Sequence, residues 1–332
     1  MSDVATGAVM PSMDMKDVAL ERLKEGLRRD FGPVCMAALA DPKCIEIMLN
    51  TDRSIWVDEF GSGLRHTGHY MPVSQSMKLF TTLATIFGVV VNANSPFLEG
   101  TFPLDGSRFA GEIPPIGAAP TFAIRKMALT VVPLDDYVRD GMLTEAHREA
   151  IFNAIDNRLN IVVAGGTGSG KTTLLNAVLD SVATRTPDDR VMLIEDTGEV
   201  QCKARNLVSK RTSLNATMEQ IVKSSMRYRP DRIIIGEVRG KEASTLLEAW
   251  NTGHPGGLAT VHANSAMAAL PRFERLLAKN GELNQEATIA EAINLLIFIK
   301  KEKGAAKGRK VKEVAKVKGY DPVAKKYLLE YI

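Results

Sequence analysis

The stretch "NIVVAGGTGSGKTT" (160–173) limits what this chain can fold into more than any other part of it. From Gly165 to Thr172 it fits G-x-x-x-x-G-K-[ST], with an apolar run before it and a helical pattern after it. Such a chain must place a buried strand, a turn nearly free of side chains and a helix N-terminus in succession. The glycines let backbone N–H groups converge on an anion, and the helix end adds its partial positive charge. The candidate phosphate cradle is Gly165, Gly166, Thr167, Gly168, Ser169, Gly170, Lys171, Thr172 and Thr173. In it Lys171 can reach β- and γ-phosphates and Thr172 can hold Mg²⁺. No G-x-G-x-x-G can be placed across the loop, so the pattern reads as a nucleoside triphosphate site and not a dinucleotide one.

The rhythm around the loop is that of a parallel sheet. A helix from about Glu145 to Arg158 precedes "NIVVA". After the loop come a helix from Lys171, strand "RVMLIED", a helix after Thr217, strand "RIIIGE", a helix from Lys241 and strand "LATVHA". Strands alternating with helices predict an α/β P-loop (RecA-like) domain with a largely parallel sheet covered on both faces. Thr217 and Gln220 have the spacing of a capping box. The end of the chain, "KVKEVAKVKGY" and "KKYLLEYI", reads as an exposed β-ribbon.

The first part reads differently. Residues 1–14 are small, polar and Met-rich, as expected of a leader. Leu20, Leu23, Leu27 and Phe31 share a helical face that stops at Gly32-Pro33. "CIEIMLN" and "SIWVDEF" alternate as strands, and Ser74 is placed to cap a second helix. "TFPLDGSRFAGEI" has the Asp-Gly pair of a hairpin, and "TFAIRKM" is a further strand. The expected organisation is a leader over 1–14, a smaller α+β domain over 15–132, a linker over 133–144 ("PLDDYVRDGMLT") and the P-loop domain with its ribbon over 145–332.

A triphosphate site needs a second acidic element at the carboxyl end of a neighbouring strand. "RIIIGE" supplies it through Glu237, with Gly236 where an aspartate is usual. Glu237 must then act as general base, as metal ligand, or as both. "RVMLIEDTGE" ends another strand in Glu195 and Asp196, suited to positioning water or Mg²⁺. "TGHPGGLATVHANS" brings His262 to a strand end, where an imidazole can sense a γ-phosphate. His66, His69 and His147 lack the spacing of a zinc site.

Composition narrows the setting. Three separated cysteines (Cys35, Cys44, Cys202) form neither a disulfide framework nor a paired zinc motif, so a reduced, cytoplasmic compartment is expected. The apolar runs "FGVVV" and "LLIFI" are far short of the roughly 18 residues of a membrane span. The net charge of +3 is uneven: residues 291–332 hold eleven Lys/Arg against five Asp/Glu. This basic end is either a solvated face or a surface for an acidic partner, such as nucleic acid, anionic lipid or another protein.

Taken in order, the P-loop, "IEDTGE", "IIIGEVRG" and "TGHPGGLATVHANS" resemble the Walker A loop, aspartate box, Walker B element and histidine box of the secretion-superfamily traffic ATPases. "RYRPDRIIIGEVRGKEA" is similar to the type IV secretion and conjugation branch. The resemblance implies ATP and Mg²⁺ as ligands. It also implies a homo-oligomer, a hexameric ring that works with other conjugation or secretion proteins at the cytoplasmic face of the inner membrane. It assigns Thr172 and Glu237 to the metal and catalysis to Glu237, Glu195 and His262. In "DGSRF" and "FAIRK" it offers Arg108 and Arg125 as arginines of the first domain for the phosphates. The four-cysteine insertion usual in the type II and pilus-extension branch is missing, since no cysteine follows Cys202. Ring motor, nucleotide-dependent switch with little turnover, pilus-retraction motor and P-loop kinase are the readings in play, and the residues leave direct nucleic-acid contact open.

Overall fold

A computed structural model describes residues 15–59, 62–126, 131–213 and 215–332. The leader read over 1–14 lies outside the described residues. The chain divides into two units, 1–127 and 128–332.

In the first unit, chain order is α1 (Met15–Ala40), β1 (Cys44–Leu49), β2 (Ser54–Glu59), β3 (Gly63–Tyr70), α2 (Val73–Phe87), β4 (Phe97–Thr101), β5 (Arg108–Glu112) and β6 (Thr121–Arg125). The six strands form one antiparallel sheet in the order β3-β2-β1-β6-β5-β4. Gly32 leaves helical geometry at φ 78°, ψ 164°, so the helix breaks at Gly32-Pro33 and resumes to Ala40. Leu27, Phe31, Leu79, Phe80 and Leu83 from the helices pack on Ile47, Phe109, Phe122 and Ile124 from the sheet. Ser74 does not cap α2. The cap is Pro72, whose carbonyl accepts from the N–H groups of Gln75 and Ser76, which leaves Ser74 inside the first turn. Proline's fixed φ, here −59°, already suits that entry.

The second unit runs α3 (Leu134–Arg139), α4 (Glu145–Asp156), β7 (Ile161–Ala164), α5 (Lys171–Arg185), β8 (Arg190–Glu195), β9 (Asn206–Arg211), α6 (Met218–Ser225), β10 (Arg232–Ile235), α7 (Glu242–Asn251), β11 (Leu258–Val261), α8 (Ala266–Ala278), α9 (Glu286–Ala292), β12 (Leu295–Lys301), β13 (Arg309–Asp321) and β14 (Lys326–Tyr331). Its eight-stranded sheet has the order β14-β13-β12-β7-β11-β10-β8-β9. It is parallel from β12 to β9 and antiparallel only where β12, β13 and β14 pair.

The strand sequences follow from burial on both faces. Ile233 and Ile235 of β10 join one core with Val162, Ala164, Met192 and Ile194, against α7 and α8. Ile234 turns to the other core with Ile161, Val163, Val191 and Leu193, against α4 and α5. A period-2 strand covered on both sides needs apolar residues at every position, hence three isoleucines in a row.

Two further sequence readings change here. The stretch 133–144 is no open linker: it folds as α3 and its turn, and Leu134, Tyr137, Met142 and Leu143 are buried in the second unit's core. Its Pro, Asp and Gly mark the helix start and the turn after it, with Gly141 at φ 70°. The terminal ribbon is not free-standing, because β13 pairs with β12 and buries Val311, Val314 and Ala315. "LLIFI" is itself a core strand, β12, parallel to β7.

Candidate active site

The P-loop leaves the carboxyl end of β7 between two neighbours, β11 and β12. Gly165 is required sterically: a Cβ there would stand 2.4 Å from the Ile299 carbonyl oxygen and 2.5 Å from Ser169 Oγ. Gly170 caps α5 at φ 98°, a left-handed conformation that lets the helix start directly at Lys171. Ser169 Oγ is buried without a hydrogen-bond partner, an unsatisfied group inside the cradle.

Lys171 is 7% exposed. Its Nζ donates to the Gly166 carbonyl at 3.0 Å and lies 3.4 Å from His262 Nδ1. The strand with His262, β11, lies between β7 and β10, so the histidine strand and not the "RIIIGE" strand is the direct neighbour of the loop. An ammonium group only donates, so His262 Nδ1 must accept and the ring proton sits on Nε2. That Nε2 is 3.0 Å from Glu237 Oε1, at ion-pair distance but outside hydrogen-bond alignment, so Oε1 is buried without an aligned donor. Burial, and then the Lys171 charge, hold the His262 imidazole below its ordinary pKa, with Glu237 pulling the other way. It is therefore a neutral ring at physiological pH.

Glu237 lies just past β10. Its Oε2 accepts from Arg239 Nη2 at 2.7 Å, and Arg239 Nη1 reaches Asp196 Oδ2 at 3.0 Å. Burial alone would raise the carboxyl, but the Arg239 bond and charge outweigh it, helped by His262 and Lys171. Glu237 ends below the usual carboxylate value. The loop carrying Arg239 is fixed by Glu242, whose Oε1 accepts from the Arg239 and Gly240 backbone N–H groups at 2.6 and 2.7 Å.

Glu195 is only 2% exposed and sits against Gly236, where a Cβ would meet Glu195 Cβ at 3.1 Å. Its Oε2 accepts from the Val200 N–H at 3.0 Å, and burial pushes its pKa up. Glu195 thus turns into its own loop, while Asp196 is the member of the pair that reaches Arg239. The missing aspartate before Glu237 has a physical reason: Glu195 at the end of β8 and Val200 in the loop after it already fill the space beside Gly236.

The structure brings Lys171, His262 and Glu237 together in one contact chain. Arg108 and Arg125 belong to the first unit, where they are register partners on β5 and β6. His254 Nδ1 is 3.1 Å from the Pro230 carbonyl and His147 Nε2 is 3.0 Å from the Ile332 carbonyl, both tying elements together. Sequence reasoning gave no role to Arg239 and read Asp196 only with Glu195, as a carboxylate for water or Mg²⁺, whereas the structure ties it to Arg239. What signals Arg239 is its spacing two residues from a strand-end glutamate. At the opposite end of β10, the fully buried Arg232 bonds Asp189 at 2.6 Å and the Ile155 carbonyl at 2.8 Å, anchoring the strand that delivers Glu237.

The family description Type II/IV secretion system protein matches residues 34–323. The conjugal transfer protein TrbB of Rhizobium radiobacter is 44% identical over 299 residues, covering 90% of this chain and 91% of that protein. The probable conjugal transfer protein TrbB of Sinorhizobium fredii is 42% identical over the same shares. Among solved structures, the ATPase DotB of Legionella pneumophila is similar with a TM-score of 0.61 at 20% identity, over 91% of this chain and 82% of that one. The pilus retraction motor PilT with bound ADP also has a TM-score of 0.61, at 16% identity over 90% and 80%. At such identities the structures speak for the fold, and it is the same α/β fold. The match across both units, together with the identity to the TrbB proteins, shows that this chain belongs to the type II/IV secretion system protein family.

Proposed function

We propose that the chain hydrolyses ATP with Mg²⁺ as one subunit of a ring motor, a hexamer by family resemblance. The ring would power pilus assembly or substrate transfer in a conjugation or type IV secretion system. It would work with the other proteins of that machinery at the cytoplasmic face of the inner membrane. Among the described residues no helix is long and apolar enough to cross a membrane. The observation that carries the reading is the contact chain Lys171–His262–Glu237 at the mouth of the P-loop.

In this reading, Lys171 Nζ turns from the Gly166 carbonyl to the β- and γ-phosphate oxygens, exchanging one acceptor for a better one. Glu237 Oε1, a buried acceptor lacking an aligned donor, takes a hydrogen bond from the attacking water. With Arg239 on its other oxygen, Glu237 is too weak a base to remove the water's proton early. A loose phosphoryl-transfer transition state asks mainly for the water to be held in line. His262 keeps its Nε2–H toward Glu237 and its Nδ1 toward Lys171, so displacement of Lys171 by a γ-phosphate is felt at the carboxylate. Thr172 and Glu237 are the residues that would hold Mg²⁺; this ion keeps several waters and takes few protein ligands, which suits a site without a cluster of three acidic or His groups among the described residues. When bound, it neutralises charge on the phosphate oxygens. Arg108 and Arg125, side by side on one sheet, are the arginines proposed to do the same from the first domain.

Steady-state ATP turnover measured against protein concentration tests this, with Glu237→Gln alongside. Specific activity should rise as subunits assemble, and the variant should lose about 100-fold or more. Flat activity while the protein demonstrably goes from monomer to oligomer would refute shared sites. Tight ATP binding with no turnover at any concentration would favour a switch.

A further inference from the structure

Two cations of the basic C-terminal stretch lie on the P-loop. Lys301 closes β12 and Arg309 opens β13, and the two are register partners across that hairpin. A Cβ built on Gly168 would stand 3.1 Å from Lys301 Nζ. One built on Gly170 would stand 3.1 Å from Arg309 Cδ and 3.2 Å from its Nη1. Both side chains therefore reach the loop at its middle and at the start of α5. Neither ammonium nor guanidinium takes part in an ion pair or hydrogen bond among the described residues, whereas their hairpin neighbours Lys307 and Lys312 pair with Asp140 and Glu302. Two unpaired positive charges beside a helix N-terminus repel each other and the helix dipole. An anion in the cradle attracts both cations and the helix N-terminus, and so offsets that repulsion.

Their side of the loop tells which part of the anion they meet. The loop strand β7 has β11 on one flank and β12 on the other. His262 and Glu237, and with them the bond to be broken, belong to the β11 flank. Lys301 and Arg309 come from the β12 flank. From this flank they would meet the part of a phosphate chain away from a bond cleaved beside Glu237.

We propose that Lys301 and Arg309 are nucleotide-binding residues that grip the phosphates common to ATP and ADP, so that the C-terminal hairpin sets how tightly substrate and product are both held. This rests on the ATP-binding reading above. Contacts made equally to substrate and product are uniform binding, which moves KM and product affinity together and leaves kcat nearly alone.

Titration of full-length protein with ATP and with ADP, followed by calorimetry, tests the inference on wild type, Lys301→Ala, Arg309→Ala and Lys310→Ala. Lys310→Ala removes the same charge one residue along the same hairpin. Each of the first two should weaken both nucleotides on the order of tenfold or more, the scale of one charge-assisted hydrogen bond. Lys310→Ala should change either by less than about twofold, the scale of an exposed charge. In turnover, KM should rise with kcat held, and Arg309→Lys should recover part of the affinity. Unchanged affinities in the Lys301 and Arg309 variants would overturn the inference. So would a loss for ATP alone, which would put the cations on the γ-phosphate, or an equal loss in Lys310→Ala, which would make the effect a general field. A wild-type chain that binds neither nucleotide would remove the ATP-binding reading itself, and this inference with it.

Discussion

At the scale of single residues, the site turns on one imidazole between an ammonium and a carboxylate. Burial and Lys171 lower the His262 pKa from its ordinary 6.5, so the ring keeps its neutral form further into acid than a free imidazole does. In linkage terms, the folded protein binds this proton less readily than the unfolded chain. Acid below the unfolded pKa therefore costs stability and protonates Nδ1, the acceptor that faces Lys171. The acid limb of the ATP-turnover profile should accordingly fall below pH 6.5 and should be absent in His262→Gln. A limb centred above 6.5, or one that persists in the variant, would assign the titration to another group. His262 was legible as a strand-end histidine. Its tautomer was not, because the tautomer follows from Lys171 being a donor on one side and Glu237 an acceptor on the other.

At the scale of elements, the β8–β10 pair decides which acid does what. The two strands run parallel with Ile194 opposite Ile235, so the residues just beyond, Glu195 and Gly236, come side by side. Placing a methyl group at 236 forces Glu195 Cβ or Val200 to give way from 3.1 and 3.3 Å. Gly236→Ala should cost about 1 kcal/mol or more by overpacking. Gly236→Asp, which would restore the acid usual at this position, should cost more, on the order of 3 kcal/mol, because a second carboxylate would be buried against Glu195. Urea unfolding measures both, and an aspartate variant as stable as wild type would show that the site relaxes freely. The capping box at α6 formed as read, with Gln220 N–H donating to Thr217 Oγ1 at 3.3 Å and Thr217 N–H to Gln220 Oε1 at 2.9 Å. It was legible because all its partners lie within four residues. Ser74 misled because a local cap signal cannot say whether Pro72, two residues earlier, already starts the helix.

At the scale of the whole molecule, the chain builds separate cores: one in the first unit, two on the faces of the second unit's sheet. Leu27 is fully buried in the first. Leu27→Ala should destabilise that unit by about 2–5 kcal/mol through lost burial and the cavity left behind. Differential scanning calorimetry should then show one transition moved down while the other holds its midpoint, with nucleotide binding retained below the first transition. Loss of both transitions together would mean that the two units unfold as one.

What the sequence determined by itself is whatever depends on neighbours along the chain. The P-loop, its glycines and α5 are a contiguous strand–turn–helix. The doubly buried strands announce themselves as unbroken apolar runs, and the four motifs keep their order along the chain. Tertiary structure decided what depends on which strands lie side by side. It set β11 between β7 and β10, which made His262 the link from Lys171 to Glu237. It turned Glu195 into its loop and gave Arg239 to Glu237 and Asp196. It folded residues 133–144 into the core, and it carried Lys301 and Arg309, some 130 residues beyond the P-loop in sequence, onto that loop's glycines. The reason is physical: strand order in a parallel sheet is set by crossovers and by packing on both faces, and periodicity within a strand carries no information about its neighbours.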